Sequence, residues 1–264
     1  MSGSGPMSSF WIQTLHQAVI SGTPLAIAGL GELVAETGGI INLGVEGTML
    51  IGAVSAYGAA LATDNVWLGL LCGTAAGALF GMLHALLTVS MRINQIAAGL
   101  TLVFLGIGVS GYAGQGIAGM PVAQSLHAVA VPGLSRIPVI GPILFIHDWV
   151  VYGTALLAVA MWALLRFSVM GLNLRAAGED PAAADAAGVP IMFVRYAAVV
   201  YGGALAGLAG GYFVLVVAHA WAEQITGGQG WIAIALVIAA NWRPLRLIGF
   251  ALLFGMVDSL YYSL

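Results

Sequence analysis

Three glutamates in an otherwise apolar stretch, Gly31 to Ala53, are the residues of this sequence best placed to do chemistry. Glu32, Glu36 and Glu46 are flanked there by segments long enough to cross a bilayer. A charged group at that depth is costly unless it faces a protein interior or a watery cavity, so it marks a transport pathway or a structural polar contact. The pattern therefore favours a membrane transport protein.

The composition of the 264-residue chain supports a membrane location. Hydrophobic residues make up 61% of it and charged residues 6%, and the mean hydropathy is +1.02. A hydrocarbon core of roughly 30 Å needs about 20 apolar helical residues per crossing, and the apolar runs are too continuous for alternating barrel strands. We predict an all-α, polytopic helical bundle that forms a single domain over residues 1–264, with Met1–Ser9 as a flexible tail and no signal peptide.

About eight transmembrane helices follow from the apolar runs. The predicted spans are Ala18–Ala35, Ile41–Thr63, Val66–Ser90, Ile96–Ala118, Trp149–Met170, Val194–Ala218, Trp231–Ala240 and Leu247–Leu264. Two longer connections remain between them, a Pro- and Gly-bearing loop at 119–148 and a polar segment at 171–193.

All seven basic residues are arginines, and their positions predict the orientation. Six of them fall in every second connection between the predicted spans, which places them on the same side of the membrane: Arg92, Arg166, Arg175, Arg195, Arg243 and Arg246. Short loops that carry arginine stay cytoplasmic. Segment 171–193 is therefore expected in the cytoplasm, and loop 119–148, with Arg136, outside together with the amino terminus.

The residue types argue against an enzyme. A Walker-type phosphate loop and Schiff-base chemistry both need a lysine, and the chain has none. The five histidines do not combine with Cys72 or with carboxylates at metal-ligand or catalytic-triad spacing. We expect no catalytic residues, no metal site and no cofactor.

Two ridges of glycine at every fourth position predict close helix packing. They are Gly73, Gly77 and Gly81 in the third predicted span, and Gly203, Gly207 and Gly211 in the sixth. Small residues let helix backbones approach closely in lipid. Packing within the subunit is favoured, and a face between subunits is the alternative.

A short helix is predicted inside the polar segment 171–193. Asp180 is a good N-cap, Pro181 suits the first helical position, and Gly188 followed by Pro190 ends the helix. Two turns are far too few to span a membrane. Taken alone, the segment is either a compact surface turn or a small, smooth surface that seats in a partner's groove.

Three phrases carry a resemblance to a known family: ETGGIINLGVEGTMLIGA from Glu36, GLNLRAAGEDPAAADAAGVPI from Gly171 and NWRPLRLIGFALLFGMVDSL from Asn241. The chain resembles, over nearly its whole length, the permease subunits of bacterial ABC importers. The branch is the one for nucleosides and simple sugars, related to ribose and branched-chain amino-acid permeases. Permeases of this branch usually continue with a further helix past the position of Leu264.

The resemblance implies roles for two groups of residues. In this family, a segment like Gly171–Ile191 holds the coupling helix, which docks into the ATPase subunit. The residues of this chain expected to contact the ATPase are Gly178, Glu179, Asp180, Pro181, Ala184, Asp185, Ala187 and Gly188. The second-span signature lies along the substrate passage and supplies Asn42, Glu46, Gly47 and Met49.

The residues near Asn42 also have a physical interpretation of their own. Asn42 and Glu46 are four apart and share a helix face, and Gly44 and Gly47 interrupt the helix. A broken helix beside an amide and a carboxylate could hydrogen-bond sugar hydroxyls. Alternatively, Glu46 satisfies the amides of a helix end and never meets substrate. For Glu32 and Glu36, structural hydrogen bonding is favoured.

The resemblance also implies partners: an ABC ATPase subunit, a second permease that is identical or homologous, an extracytoplasmic substrate-binding protein and the lipid bilayer, but no nucleic acid. The expected location is the bacterial plasma membrane. Nucleosides lead as substrates, followed by simple sugars. The chief alternative is an ion- or proton-coupled secondary transporter that uses Glu32, Glu36 and Glu46, and a passive channel or scaffold subunit is the third.

Overall fold

Helices form almost all of the regular structure in the computed structural model, which describes residues 6–122 and 125–263. Seven helices in this part of the chain are long and apolar enough to cross a membrane. The helices are α1 (Pro6–Thr37), α2 (Val45–Thr63), α3 (Val66–Ala85), α4 (Gln95–Gly114), α5 (Ile140–Leu144), α6 (Trp149–Phe167), α7 (Val169–Glu179), α8 (Pro181–Ala186), α9 (Ile191–Tyr212), α10 (Gln229–Ala239) and α11 (Pro244–Ser263). The predicted all-α, polytopic fold is confirmed.

The seventh predicted span, Trp231–Ala240, is a short helix that does not reach across a membrane. α10 has 11 residues, which at 1.5 Å per residue is about half of a bilayer core. Turns bound it at both ends: Gly227 and Gly228 before it have φ of +54° and +89°, and Asn241 and Trp242 after it have φ of +53° and +51°. The bundle therefore combines seven long helices with one half-length helix.

Several helix boundaries differ from the prediction for local reasons. α1 begins at Pro6, a residue well suited to a first helical turn, so the predicted flexible tail is wrong for residues 6–9, while residues 1–5 lie outside the described residues. α2 begins at Val45 and not at Ile41, because the Asn42 side chain accepts the Gly44 N–H and holds residues 42–44 in a turn. α3 and α9 each end in a π-helical turn, at Leu86–Ser90 and Phe213–Val217.

The two long connections contain more structure than their composition predicted. The fifth span ends at Phe167, and the hydroxyl of Ser168 then accepts the Gly171 N–H at 3.0 Å and starts α7. In the other connection, strands β1 (Val129–Ala130) and β2 (Ile146–His147) pair antiparallel, with a 3₁₀ turn and α5 between them.

Helix α9 lies at the centre of the bundle and packs against α1, α2 and α3. The glycine ridges are the reason that it fits. A Cβ on Gly207 would lie 2.3 Å from the Gly73 carbonyl oxygen, and a Cβ on Gly77 would lie 2.3 Å from the Gly203 carbonyl oxygen. The ridges therefore pack within the subunit, as favoured, and the α3 and α9 backbones are in direct contact.

Candidate functional site

A single carboxylate, that of Glu46, joins the starts of α2 and α10. Its Oε1 accepts hydrogen bonds from the Thr226 hydroxyl at 2.5 Å and the Gly228 N–H at 3.0 Å. Its Oε2 accepts the Gly230 N–H at 2.7 Å. The first amides of a helix have no partner within that helix and carry partial positive charge, so an anion there stabilises the helix start.

Close approach of the two backbones requires glycine at the start of α10. A Cβ on Gly230 would lie 2.5 Å from the Glu46 Cα. Glu46 itself is buried. These contacts support the account in which Glu46 satisfies the amides of a helix end.

Asn42 shapes the turn that leads into α2. Its side-chain oxygen accepts the Gly44 N–H at 2.9 Å, and its own backbone N–H donates to the Glu32 carboxylate at 2.8 Å. Both side chains are buried. Glu32 therefore holds the turn between α1 and α2, which is the structural hydrogen bonding favoured from the sequence.

The other two predicted pathway residues lie between helices. A Cβ on Gly47 would lie 2.4 Å from the Leu102 carbonyl oxygen of α4. The Met49 side chain is fully buried, and its backbone meets Gly210 of α9. The structure thus brings Asn42, Glu46, Gly47 and Met49 together at one end of α2, within packed contacts. Their place along a substrate passage stays a prediction.

Two of the three glutamates of the apolar stretch, Glu32 and Glu36, lie beside each other, whereas Glu46 has partners of its own. Glu36 accepts a hydrogen bond from the Trp242 indole N–H at 2.5 Å, whereas Glu32 holds the α1–α2 turn and Glu46 holds α10. Sequence reasoning missed Thr226, Gly228, Gly230 and Trp242 as partners. The glycine-rich TGGQG phrase at 226–230 was the available signal, because it marks a place of close backbone approach.

The predicted short helix exists as α8. The Asp180 carboxylate accepts the Ala183 N–H at 3.0 Å as an N-cap, Pro181 is the first helical residue, and Gly188 ends the helix with a φ of +85°. Ala184 is buried against the rest of the chain, whereas Ala187 is exposed. Exposed positions of α8 are Ala182, Ala183, Asp185 and Ala186, with Glu179, Asp180, Ala187 and Gly188 exposed or half-buried beside them.

Arg195 ties the segment before α8 to the turn between α1 and α2. Its Nη2 donates to the Ala177 carbonyl at 2.9 Å and its Nε donates to the Gly38 carbonyl at 3.2 Å. A Cβ on Gly178 would lie 2.2 Å from the Thr37 carbonyl oxygen, so the backbones touch there. The sequence had indicated only a charge that sets orientation at Arg195.

A polar cluster lies at the opposite end of the bundle, where β2 leads into α6. The Asp148 carboxylate caps α6 through the Val150 N–H at 2.8 Å and accepts the Tyr212 hydroxyl at 2.8 Å. The His147 ring stacks on the His16 ring with centroids 4.4 Å apart. Burial lowers the pKa of His147, against the opposing effect of its hydrogen bond to the Ile143 carbonyl.

Seven membrane-length helices and one half-length helix define a polytopic helical membrane protein. Residues 14–264 match the family described as the permease component of the branched-chain amino acid transport system, and the chain belongs to that family.

The chain is also similar to named permeases. It is 40% identical over 257 residues to the putative glucose ABC transporter permease protein TsgC13 of Haloferax volcanii, covering 96% of this chain and 78% of that protein. It is 34% identical to the guanosine ABC transporter permease protein NupQ of Bacillus subtilis, covering 92% and 79%. It is 35% identical to the nucleoside ABC transporter permease protein NupC of Lactococcus lactis, covering 92% and 80%. No solved structure matches the chain significantly.

Proposed function

We propose that this chain is the membrane-spanning subunit of an ATP-driven ABC importer and forms the pathway for a nucleoside or a simple sugar. The observation that carries the proposal is its similarity, over more than nine tenths of its length, to permeases named for glucose, guanosine and nucleosides. Nucleosides lead because two of these three relatives are named for them. Branched-chain amino acids follow behind.

The proposed assembly contains four kinds of component. A second permease, identical or homologous, completes the passage, and an extracytoplasmic binding protein selects and delivers the substrate. An ATPase subunit hydrolyses ATP, which this chain does not do itself. The complex lies in the plasma membrane of a bacterium, with α7 and α8 in the cytoplasm, since six of seven arginines fall on that side.

The ATPase is proposed to dock on α8. The exposed alanines of that helix present a smooth, rigid surface, and its ends are fixed by the Asp180 cap and by Gly188. A capped helix transmits displacement better than a loop, because its backbone hydrogen bonds hold its length. Nucleotide-driven movement of the ATPase then biases the permease between two states.

The contacts of Arg195 supply a route from α8 into the membrane. Movement of α8 carries the end of α7, which Arg195 and Gly178 hold against the turn after α1. That turn contains Asn42, held by Glu32. From there α2 reaches α10 through Glu46. Hydrogen bonds and the backbone segments between them thus connect the docking helix to the half-length helix.

The ion-coupled alternative receives less support from the geometry. An ion or proton site built from Glu32, Glu36 and Glu46 needs the three carboxylates to share a ligand. Glu32 and Glu36 lie beside each other. The Glu46 carboxylate instead accepts its hydrogen bonds from the turn at residues 226–230 and is not shared with them.

The deciding experiment is transport in proteoliposomes that contain the chain with its cognate ATPase, second permease and binding protein. We expect uptake of a radiolabelled nucleoside or sugar to require ATP and to continue after the proton gradient is collapsed. Competition by unlabelled guanosine, glucose and leucine then assigns the substrate class. Uptake that stops with the gradient and ignores ATP depletion would contradict the proposal and favour the secondary transporter.

A further inference from the structure

A basic cavity of about 720 Å³ opens beside α8, between α6, α7 and the start of α11. Its size falls within the roughly 300–1,000 Å³ typical of small-molecule sites. Four of its lining residues are arginines: Arg166, Arg175, Arg243 and Arg246. Two glutamates, Glu36 and Glu179, also line it, which leaves an excess of positive charge.

None of the four arginines has an anionic partner within the described residues. The guanidinium groups of Arg175, Arg243 and Arg246 make no hydrogen bond or ion pair there. Arg166 lies over the Phe167 ring, 5.7 Å from its centroid. Guanidinium groups bind phosphate oxygens through paired N–H donors, so four exposed arginines around one cavity suit a phosphate-bearing ligand.

Two tryptophans in the wall place the cavity at the depth of lipid headgroups. Trp162 and Trp242 both line it, and tryptophan is enriched at the membrane–water interface. The neighbouring residues on the outer surface are apolar and strongly exposed, with Phe167 at 70% and Val169 at 73%. Such side chains suit contact with acyl chains, which a free phosphate lacks.

An apolar cavity adjoins the basic one. It measures about 600 Å³, is lined mainly by aliphatic and aromatic residues of α6, α7 and α9, and shares Leu165 with the basic cavity. The two cavities place a cationic surface beside a hydrophobic groove. An amphiphile with an anionic head and a hydrocarbon tail matches both.

We propose that the basic cavity binds the phosphodiester headgroup of an anionic phospholipid, whose acyl chain lies along α6. Basic pockets between transmembrane helices are suited to anionic headgroups. The ligand is a lipid from the surrounding bilayer and is distinct from the transported substrate. Lipid bound there braces α7, which carries α8 at its end, against the start of α11.

Native mass spectrometry of the full chain in neutral detergent micelles tests this binding. Phosphatidylglycerol and phosphatidylcholine are titrated in parallel, and bound adducts are counted. We expect retention of phosphatidylglycerol but not of phosphatidylcholine. The double variant R243Q/R246Q removes two charge-assisted contacts, so phosphatidylglycerol should bind about tenfold or more weakly.

The matched control is R92Q, because Arg92 is an exposed arginine assigned to the same side but does not line the cavity. Its lipid binding should stay at the wild-type level. If the double variant fails to fold, R175Q on the exposed face of α7 provides the same test, with helical content checked by circular dichroism.

Three results would overturn the proposal. The first is equal retention of the two lipids, and the second is unchanged binding in the cavity variants. The third is displacement of phosphatidylglycerol by an equal concentration of inorganic phosphate or by the ATPase subunit, which would assign the cavity to a free anion or to a protein surface. Lipid binding is read without transport, so it can fail while the importer function stands.

Discussion

The Thr226 hydroxyl donates a hydrogen bond to the Glu46 carboxylate at 2.5 Å, across 180 residues of chain. With the N–H groups of Gly228 and Gly230, it makes Glu46 the acceptor that fixes the start of α10 against the start of α2.

Replacing Glu46 by glutamine should destabilise the protein. An amide has one acceptor oxygen, so its NH₂ group would face one of the three buried donors, which is then left unsatisfied at a cost of about 1–3 kcal/mol. Thermal unfolding in detergent, followed by circular dichroism, measures the loss. T226V removes one donor. Because both changes remove the same hydrogen bond, the double variant E46Q/T226V should lose less stability than the sum of the two single losses.

The same glutamine variant also tests the passage. If Glu46 acts through packing alone, uptake per folded molecule should equal that of the wild type once the amount of folded protein is matched. A changed affinity or substrate preference in the folded fraction would instead show that Glu46 meets the substrate.

A bulky residue on α8 should uncouple ATP hydrolysis from uptake. A187W places a large side chain on an exposed position of the proposed docking surface, whereas the same change at the buried Ala184 would also disturb the fold. ATPase activity and uptake are measured together in proteoliposomes, and the ratio of uptake to hydrolysis should fall several-fold. A118W, at an exposed alanine in the opposite connection, is the control. A normal ratio in A187W would argue against docking at α8, as would a normal ratio after charge reversal at Asp180.

Arg195 should matter for coupling more than its charge alone predicts. R195Q loses the paired contacts to the Ala177 and Gly38 carbonyls. R195K keeps the charge but cannot reproduce the two-pronged donation of a guanidinium. We expect both variants to hydrolyse ATP with reduced uptake, with only a modest rescue by lysine. Full rescue by lysine would mean that the position requires the positive charge and not the pair of hydrogen bonds to Ala177 and Gly38.

A methyl group at Gly207 should be poorly tolerated. Its Cβ would lie 2.3 Å from the Gly73 carbonyl oxygen, so α3 and α9 must separate, at a cost of at least about 1–3 kcal/mol. G153A is the matched control, because a Cβ there meets nothing within 4 Å and alanine favours a helix. Monodispersity and melting temperature should fall for G207A and hold or rise for G153A. Equal behaviour of the two variants would contradict the packing argument.

Stability should also fall in mild acid through His147. Burial lowers the pKa of this histidine in the folded state, so the unfolded chain binds the proton more readily. The stabilising contribution is complete above the unfolded pKa of about 6.5 and is lost as the pH falls through the folded pKa. Melting temperatures between about pH 7.5 and 5.5 should drop less in H147Q than in the wild type. H127Q, at an exposed histidine, should follow the wild type.

Local features of the sequence predicted local features of the structure. Asp180, Pro181 and Gly188 carry their own conformational preferences, and α8 forms where those preferences place it. The glycine ridges likewise predicted close helix contact. The contact between Glu46 and Gly230 depends on two segments that meet only after folding, and no spacing in the sequence specifies it.

The errors have equally specific causes. α7 was missed because its mixture of polar and apolar residues resembles a loop when membrane spans are the reference, although that mixture is typical of a helix at an interface. A span was predicted at α10 because residues 231–240 are all apolar, and the turns at its two ends, which hydropathy does not measure, set its length.

Three polypeptide backbones converge at Gly207, which faces Gly73 and Gly77 on α3 and Gly52 on α2. With no side chains in between, there is nothing at this junction that could rotate or repack to let one helix slide past another. The three helices are therefore expected to move together when the subunit changes state. Any rearrangement between the two states of the transporter is then expected in the helices packed around these three.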